Sequence, residues 1–572
     1  MYFQETTKGT ETIRRAHAMI VGCAGAGKTT LLRRLMSKDS SMEELLNTTS
    51  TVGLEIHPDL FEINPQSFSL KVCSKDSIKE KKLLLNVLDF GGQCAYYACH
   101  QVYLQQRAFF LQVVDISKPL EEKVDPFLCN QDGTMFDNYT YGDYFLFWLK
   151  WIHTYCDSDT PVIIVATHLD VVPEPQKMKS SFFQRILDLL PSGSNLGRHL
   201  SNERCFFTGY PFNFCPQLDP LAKLEKCICS MALSEKWIVN IPTEWVWYGD
   251  SICCLLNQRV KIVKRGGLYH QKVFAESEDL MKFYNDIGVI GYFNERLLRD
   301  IVIVDVKWFV DAFKYVITDQ NHFYWVKLKD NHDWMYFNQT GYLKDSLLNE
   351  IWEQRFSVYV NKEDILLYAE RLGLLARGKS YYCLRSRVHY VPSMNKRSFD
   401  SKGKHLFKTV QNRTTVIVYQ FQFFPYFYYF RLIVAMMSDQ MPFNLLDGSG
   451  EYLYKNLACF LHKDHIVVVA VTKTSIQLQV LHRKNEMQRC TVIEIRNLIE
   501  NRLKEITETF QRPCRFTIGY QCSYQEVYSH LPDCFVLEQD ILGKVTMSCP
   551  SHLTQNIHQI REDDIVHFWK EI

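Results

Sequence analysis

Gly22-Cys23-Ala24-Gly25-Ala26-Gly27-Lys28-Thr29 is the stretch on which the fold turns. It follows Ala16-His17-Ala18-Met19-Ile20-Val21, which reads as a short buried strand, and precedes Leu31, Leu32, Leu35 and Met36 at helical spacing. This is GxxxxGK[ST] between a strand and a helix, the context in which the pattern carries chemistry. Glycines let successive backbone N–H groups wrap a polyphosphate, and the helix N-terminus adds a favourable dipole. Gly22, Cys23, Ala24, Gly25, Ala26, Gly27 and Thr30 are therefore expected to line a phosphate, with Lys28 reaching its outer groups and the Thr29 hydroxyl holding Mg²⁺.

Three further segments follow in order. Leu83 to Asp89 is an apolar strand ending in a carboxylate, from which Asp89 can hold the Mg²⁺ shell. Phe90-Gly91-Gly92-Gln93 completes DxxGQ, with Gly92 offering its N–H to a terminal phosphate and Gln93 placed to orient water. Pro161 to Ala166 is another buried strand, ending in Thr167-His168-Leu169-Asp170. A carboxylate at Asp170 accepts from both guanine ring donors and repels adenine, which argues against an ATP user, and His168 can stack on a base. Between the GxxxxGK[ST] motif and the Leu83 strand, Thr48 to Glu55 is a polar run in which Thr51 is the expected second Mg²⁺ ligand, sensing the terminal phosphate. Leu60 to Val72 after it is strand-like.

The order of these motifs is that of a Ras-like GTPase, and their wording (TVGLE, DFGGQ, Tyr96 to Gln101, THLD) resembles the Roc domain of the Roco family. The resemblance implies an α/β P-loop GTPase with a mostly parallel sheet, binding GTP or GDP with Mg²⁺. It also implies slow hydrolysis of GTP, with Gln93 and Lys28 as catalytic residues. Cys94 departs from the acidic residue that many relatives carry after the glutamine, and Phe206-Phe207-Thr208-Gly209 is the best match to a fifth guanine motif. DFGG at Asp89 has no upstream kinase catalytic loop and ends a sheet strand, so it is not read as a kinase signature.

From Ile241 onward the pattern changes. A helix near Leu280 to Tyr284, strands at Ile287 to Phe293 and Asp300 to Asp305, and a helix at Trp308 to Phe313 form a winged-helix-like unit. Acidic residues through it, including Asp286, Glu295 and Asp311, argue against a nucleic-acid face. This part resembles the COR domain that follows Roc in Roco proteins. The expected domains are Roc at 12–220, a first, winged-helix-like COR lobe at 235–395, a second α+β COR lobe at 405–510 and a small C-terminal module at 511–572. By the same resemblance the second lobe is a homodimerisation element, and unidentified signalling proteins are the further partners. Trp148 and Trp151 read as a helix packed on the sheet or as a partner-binding face, and the aromatics from Tyr419 to Phe430 as core or subunit interface. In the tail, Cys549-Pro550-Ser551-His552 with Cys522, His530 or Cys534 is either a zinc half-site or part of a packed module with free thiols.

Composition sets the limits around this reading. The chain has 572 residues, 47 % hydrophobic and 23 % charged, which suits several folded domains. Its net charge of +1 provides no global field for nucleic acid or an anionic membrane. Gln420, Gln422, Pro425 and Arg431 interrupt the most apolar stretch, so no integral membrane segment is expected. A polar N-terminus without a signal-peptide core points to the cytoplasm, where the 19 cysteines would be thiols. Two functions stay open: a GTP-hydrolysing switch, and a dimeric scaffold that nucleotide merely stabilises.

Overall fold

The computed structural model describes residues 9–37, 51, 53–73, 83–93, 97, 108–129, 136–156, 159–209, 220–264, 278–294, 298–318, 331–355, 362–377, 387–410, 412–421, 424, 426–439, 441–448, 450–483, 487–508, 515–521, 535–548 and 559–569. The chain divides into two compact units, one formed mainly by residues 1–323 and the other mainly by residues 324–572.

The first unit is built on an eight-stranded sheet. Its strands are β1 (Thr10–Gly22), β2 (Leu54–Asn64), β3 (Ser69–Val72), β4 (Leu84–Phe90), β5 (Phe109–Asp115), β6 (Val162–Thr167), β7 (Cys205–Phe207) and β8 (Ile238–Pro242). They run in the order β3-β2-β4-β1-β5-β6-β7, with β8 added antiparallel to the first half of β1. The pairs β4–β1, β1–β5, β5–β6 and β6–β7 are parallel, so this is the α/β P-loop arrangement with a mostly parallel sheet. Parallel strands covered on both faces lose the polar alternation of a one-sided sheet. Accordingly β6 is buried at every residue, whereas the β8-paired start of β1 alternates exposed and half-buried positions. The strand-like run expected at Leu60 to Val72 is a hairpin, β2 turning into β3 through 65–68, and β2 bulges between His57 and Phe61 where it pairs β4.

Helices α1 (Lys28–Met36), α2 (Pro126–Cys129), α3 (Tyr141–Tyr155), α4 (Pro175–Asp188) and α5 (Pro220–Ala232) accompany this sheet. Ala16, Ala18 and Ile20 of β1, Leu111 and Val113 of β5 and Val165 of β6 form one core with Leu31 and Leu35 of α1 and Leu224 and Ile228 of α5. The period of two along the strands places them on one face. On the other face Gln112 donates from Nε2 to the Phe145 carbonyl at 2.7 Å, and Phe90 meets Trp148 edge-on, both contacts to α3. A capping box starts α3: Asp143 N–H donates to Thr140 Oγ1 at 3.1 Å and Thr140 N–H to Asp143 Oδ2 at 3.0 Å. Trp148 and Trp151 are buried, so they serve the packing of α3 on the sheet.

The same unit continues with α6 (Thr243–Asn257), β9 (Ile262–Lys264), α7 (Glu278–Asp286), β10 (Ile301–Ile303) and α8 (Val306–Lys314). β10 pairs with β9, which precedes α7. The stretch Ile287 to Phe293, expected as its strand partner, contributes one antiparallel bridge, Gly291 to Ile303. Its Ile290 and Tyr292 are instead packed in the core with Leu280 and Val302.

The second unit centres on an antiparallel sheet in which Leu457–His462, His465–Val471, Ser475–His482, Ile417–Phe421 and Phe516–Gln521 are consecutive neighbours. Helices Phe427–Met437 and Arg489–Glu508 pack on each other. Tyr419, Phe421, Phe427, Tyr428 and Tyr429 are all buried, so the aromatic run is core. Among the described residues no helix is long and apolar enough to cross a membrane, and no cysteine forms a disulfide. Cys522, His530, Cys534, Cys549 and His552 of the zinc alternative lie outside the described residues.

Trp148 is fully buried and its ring touches Phe90, Tyr97, Phe147 and Trp151. Trp148→Ala is expected to cost about 3–5 kcal/mol of stability. A melting transition of the first unit unchanged from the parent would show that α3 does not hold the sheet.

Candidate functional site

The site forms where parallel strands end. Gly22 closes β1 opposite Val113 of β5, and a Cβ on Gly22 would stand 2.3 Å from the Val113 carbonyl oxygen. Only glycine permits that approach. Gly27, at φ +84°, caps α1 in a left-handed conformation that also favours glycine. Lys28 opens the helix, is 6 % exposed, and donates from Nζ to the carbonyls of Gly22 at 3.1 Å and Cys23 at 2.7 Å. Burial pushes its pKa down, with the Asp89 charge opposing that shift.

Thr29, Thr51 and Asp89, far apart in the chain, converge. Thr29 Oγ1 donates to Asp89 Oδ2 at 2.6 Å, Thr51 Oγ1 donates to the same oxygen at 2.8 Å, and the two hydroxyls are 2.6 Å apart. Asp89 is fully buried; burial raises its pKa, while the Thr29 hydrogen bond and the Lys28 charge pull it down. Its second oxygen, Oδ1, is buried without a hydrogen-bond partner among the described residues. A carboxylate with an unused lone pair beside two hydroxyls is a hard-oxygen set of the kind Mg²⁺ takes, so these residues fit that ion.

The DxxGQ segment lies against both elements. Gly91 N–H donates to the Gly53 carbonyl at 2.7 Å. A Cβ on Gly92 would lie 2.5 Å from the backbone nitrogen of Ala24 and 2.5 Å from Lys28 Nζ. Tyr97 OH donates to the Gly92 carbonyl at 2.9 Å. Gln93 is 2 % exposed, so its side chain lies inside the fold. Cys94 is outside the described residues.

At the other end, Thr167 Oγ1 contacts the Ala26 carbonyl at 2.8 Å and the Val114 carbonyl at 3.1 Å, tying the end of β6 to the phosphate loop. His168, at φ +59°, places Nδ1 3.2 Å from Asp115 Oδ1. Asp170 lies against Gly209, where a Cβ would be 2.5 Å from Asp170 Oδ1. Leu169 N–H donates to Thr208 O at 3.1 Å, so the Phe206 to Gly209 segment packs on the THLD turn. Thr30 is in α1, half-buried, one residue past the hydroxyl that meets Asp89.

Comparison with known proteins agrees with this geometry. The family model "Ras of Complex, Roc, domain of DAPkinase" matches residues 17–170, which span the phosphate loop through Asp170. A probable serine/threonine-protein kinase, pats1, of Dictyostelium discoideum is 23 % identical over 97 % of this chain and 16 % of its own length. Residues 17–170 thus match a Roc domain, and the chain is similar to Roco proteins. A Roc-COR-CHAT protease of Runella zeae is 21 % identical over 62 % of this chain and 33 % of its own length. The solved Methanosarcina barkeri Roco2 RocCORdC, bound to GDP, covers 69 % of this chain and all of its own at 18 % identity and TM-score 0.43. The chain spans about one sixth of the length of pats1.

Two contributors to the site escaped the motif reading. Asp115 is the last residue of the apolar strand β5 and Asp89 the last but one of β4, and that similar position was the available signal. Burial alone would raise its pKa, but hydrogen bonds from His168 and Ser117 outweigh this and hold it below the usual carboxylate value. Arg34, two turns into α1, donates from Nη1 to Thr208 Oγ1 at 2.9 Å and Gly209 O at 3.3 Å. Nothing in its local sequence marks it.

Thr167→Val keeps the volume of the tie between β6 and the phosphate loop but removes its hydroxyl. It is expected to cost about 1–2 kcal/mol, because two buried carbonyls lose a donor, while Thr167→Ser stays near the parent. Thermal melting of both variants checks this.

Proposed function

We propose that this protein binds GTP and GDP with Mg²⁺ and hydrolyses GTP slowly to GDP and phosphate. The convergence of Thr29, Thr51 and Asp89 beside Lys28 carries the reading. In it, Thr29, Thr51 and Asp89 hold the metal, and the backbone from Gly22 to Gly27 with Thr30 and Gly92 cradles the phosphates. Lys28 exchanges the Gly22 and Cys23 carbonyls for the outer phosphates. Mg²⁺, when bound, supplies positive charge against that developing on the transferred phosphoryl group. Thr167 keeps the base turn in register with the loop, His168 stacks on the base and Asp170 accepts from the guanine ring. Gln93 leaves its buried position to orient the attacking water. The domains are those expected from sequence, 12–220, 235–395, 405–510 and 511–572, with a homodimer through the second COR lobe. Cytoplasmic signalling through nucleotide-dependent contacts with other proteins is part of the same proposal.

The burial of Gln93 favours a second reading, in which nucleotide stabilises a dimeric scaffold and turnover is irrelevant. Single-turnover hydrolysis measured beside dimer mass in the GDP and GTP states separates the two. Hydrolysis at least tenfold slower in Gln93→Leu than in the parent is expected of the switch. A parent without hydrolysis but with a nucleotide-dependent mass selects the scaffold. Titration with GTP, GDP and ATP tests the base assignment: both guanine nucleotides should bind, ATP should not, and Asp170→Ala should erase the difference.

A further inference from the structure

His168 and Asp115 form a charge pair that guanine recognition by Asp170 does not require. Asp115 Oδ1 is 3.2 Å from His168 Nδ1 and also accepts from Ser117 N–H at 2.9 Å and Ser117 Oγ at 2.6 Å, so the carboxylate is anchored before the ring reaches it. Thr167 Oγ1 lies 3.1 Å from the same Nδ1. Its single hydrogen is directed to the Ala26 and Val114 carbonyls, which leaves the hydroxyl oxygen as an acceptor toward the ring. Two acceptors on Nδ1 keep a proton there in either charge state, so Nε2 is the nitrogen that titrates. The His168 side chain is 40 % exposed, against 14 % for Asp115, and its Cε1 would lie 3.8 Å from a Cβ on Gly27. The ring is therefore held on one edge, beside the phosphate loop, and remains open to a ligand. The charged groups acting on it are Asp115 at the end of β5 and Asp170 in its own turn, both negative. The Asp115 hydrogen bond raises the His168 pKa against the opposing effect of burial.

We propose that His168 is a specificity-determining residue that meets the guanine base as an imidazolium held by Asp115, so that nucleotide affinity falls as the ring loses its proton. This rests on the guanine-nucleotide reading above and adds a dependence that a lysine at the same position would lack, since lysine stays charged to about pH 10. The cation attracts the π face of the base, and the neutral ring keeps only apolar stacking. The sign follows: binding is tightest at mildly acidic pH and weakens through the neutral range.

The test is GDP affinity at fixed Mg²⁺, measured calorimetrically on the full chain from roughly pH 6 to 8.5, a range that brackets the ordinary histidine. Parent, His168→Lys and Asp115→Asn are compared. GDP ionises in this range itself, so the readout is the ratio of the parent Kd to that of His168→Lys. The ratio is expected to rise roughly two- to fivefold across the range. In Asp115→Asn the same inflection should move to lower pH. A flat ratio with GDP bound throughout overturns the proposal and leaves the guanine-nucleotide reading standing. Absence of GDP binding by the parent at every pH overturns both. A measurement on the parent alone, independent of how the variants fold, is NMR titration of the His168 Cε1–H signal with and without GDP. Linkage requires GDP to raise that pKa if the cation is preferred, and an unchanged or lowered value rejects the idea.

Discussion

The register of β1 between β4 and β5 is the constraint on which the rest of the site depends. Pairing Ile20 with Asp89 on one side and Gly22 with Val113 on the other brings the phosphate loop, the Asp89 carboxylate and, two residues past Val113, Asp115 to one edge of the sheet. Strand ends are where an open α/β sheet presents a crevice, because the chain leaves each strand toward a helix on one face or the other. Gly22 is the point at which this register would fail. A side chain there would collide with the Val113 carbonyl, and relieving that by separating β1 from β5 would carry the loop, with Asp89 on the other neighbour β4, away from Asp115.

Charge is buried at this edge at a cost the fold alone does not recover. An ionised carboxylate moved out of water loses several kcal/mol of solvation unless hydrogen bonds replace it. Among the described residues, Asp89 receives two hydroxyl hydrogen bonds on one oxygen and none on the other, and Lys28 donates to two loop carbonyls. Each group is thus compensated in part, and burial moves the pKa of each toward its neutral form. Such half-compensated charges are what a site retains when a ligand of opposite sign supplies the remainder, and they recur at functional centres for that reason.

Much of this edge was legible in the sequence, and the remainder was hidden for definable reasons. Lys28, Thr29 and Asp89 each sit at a fixed offset from a strand-to-loop junction, so one-dimensional spacing implies their place in space. Asp115 has the same kind of place, but no neighbouring glycine pattern distinguishes it from a polar strand end. Arg34 acts across 174 residues on Thr208, a distance no local pattern spans. Strand boundaries failed where burial changes along one strand. β1 begins at Thr10 because β8 pairs with its half-exposed start, yet only the part after Ala16 is apolar enough to read as a strand. Ile287 to Phe293 failed in the opposite sense, since apolar residues that fill a core need not pair as a strand.

The Thr51 segment links this edge to the helices that follow in the same unit. Gly53, at φ +71°, receives the Gly91 N–H on its carbonyl, while a Cβ on it would lie 3.1 Å from Lys314 Cγ on α8. Lys314 is itself largely buried; burial lowers its pKa, with Asp311 and Glu55 acting against that. Its stem cannot swing freely into solvent, because only 14 % of the side chain is exposed. Gly53 is therefore enclosed, with the DxxGQ backbone on one side and the end of α8 on the other. Close-packed surroundings of this kind do not deform continuously. Glycine at position 53 is what this enclosure admits, since a side chain there would press on the Lys314 stem.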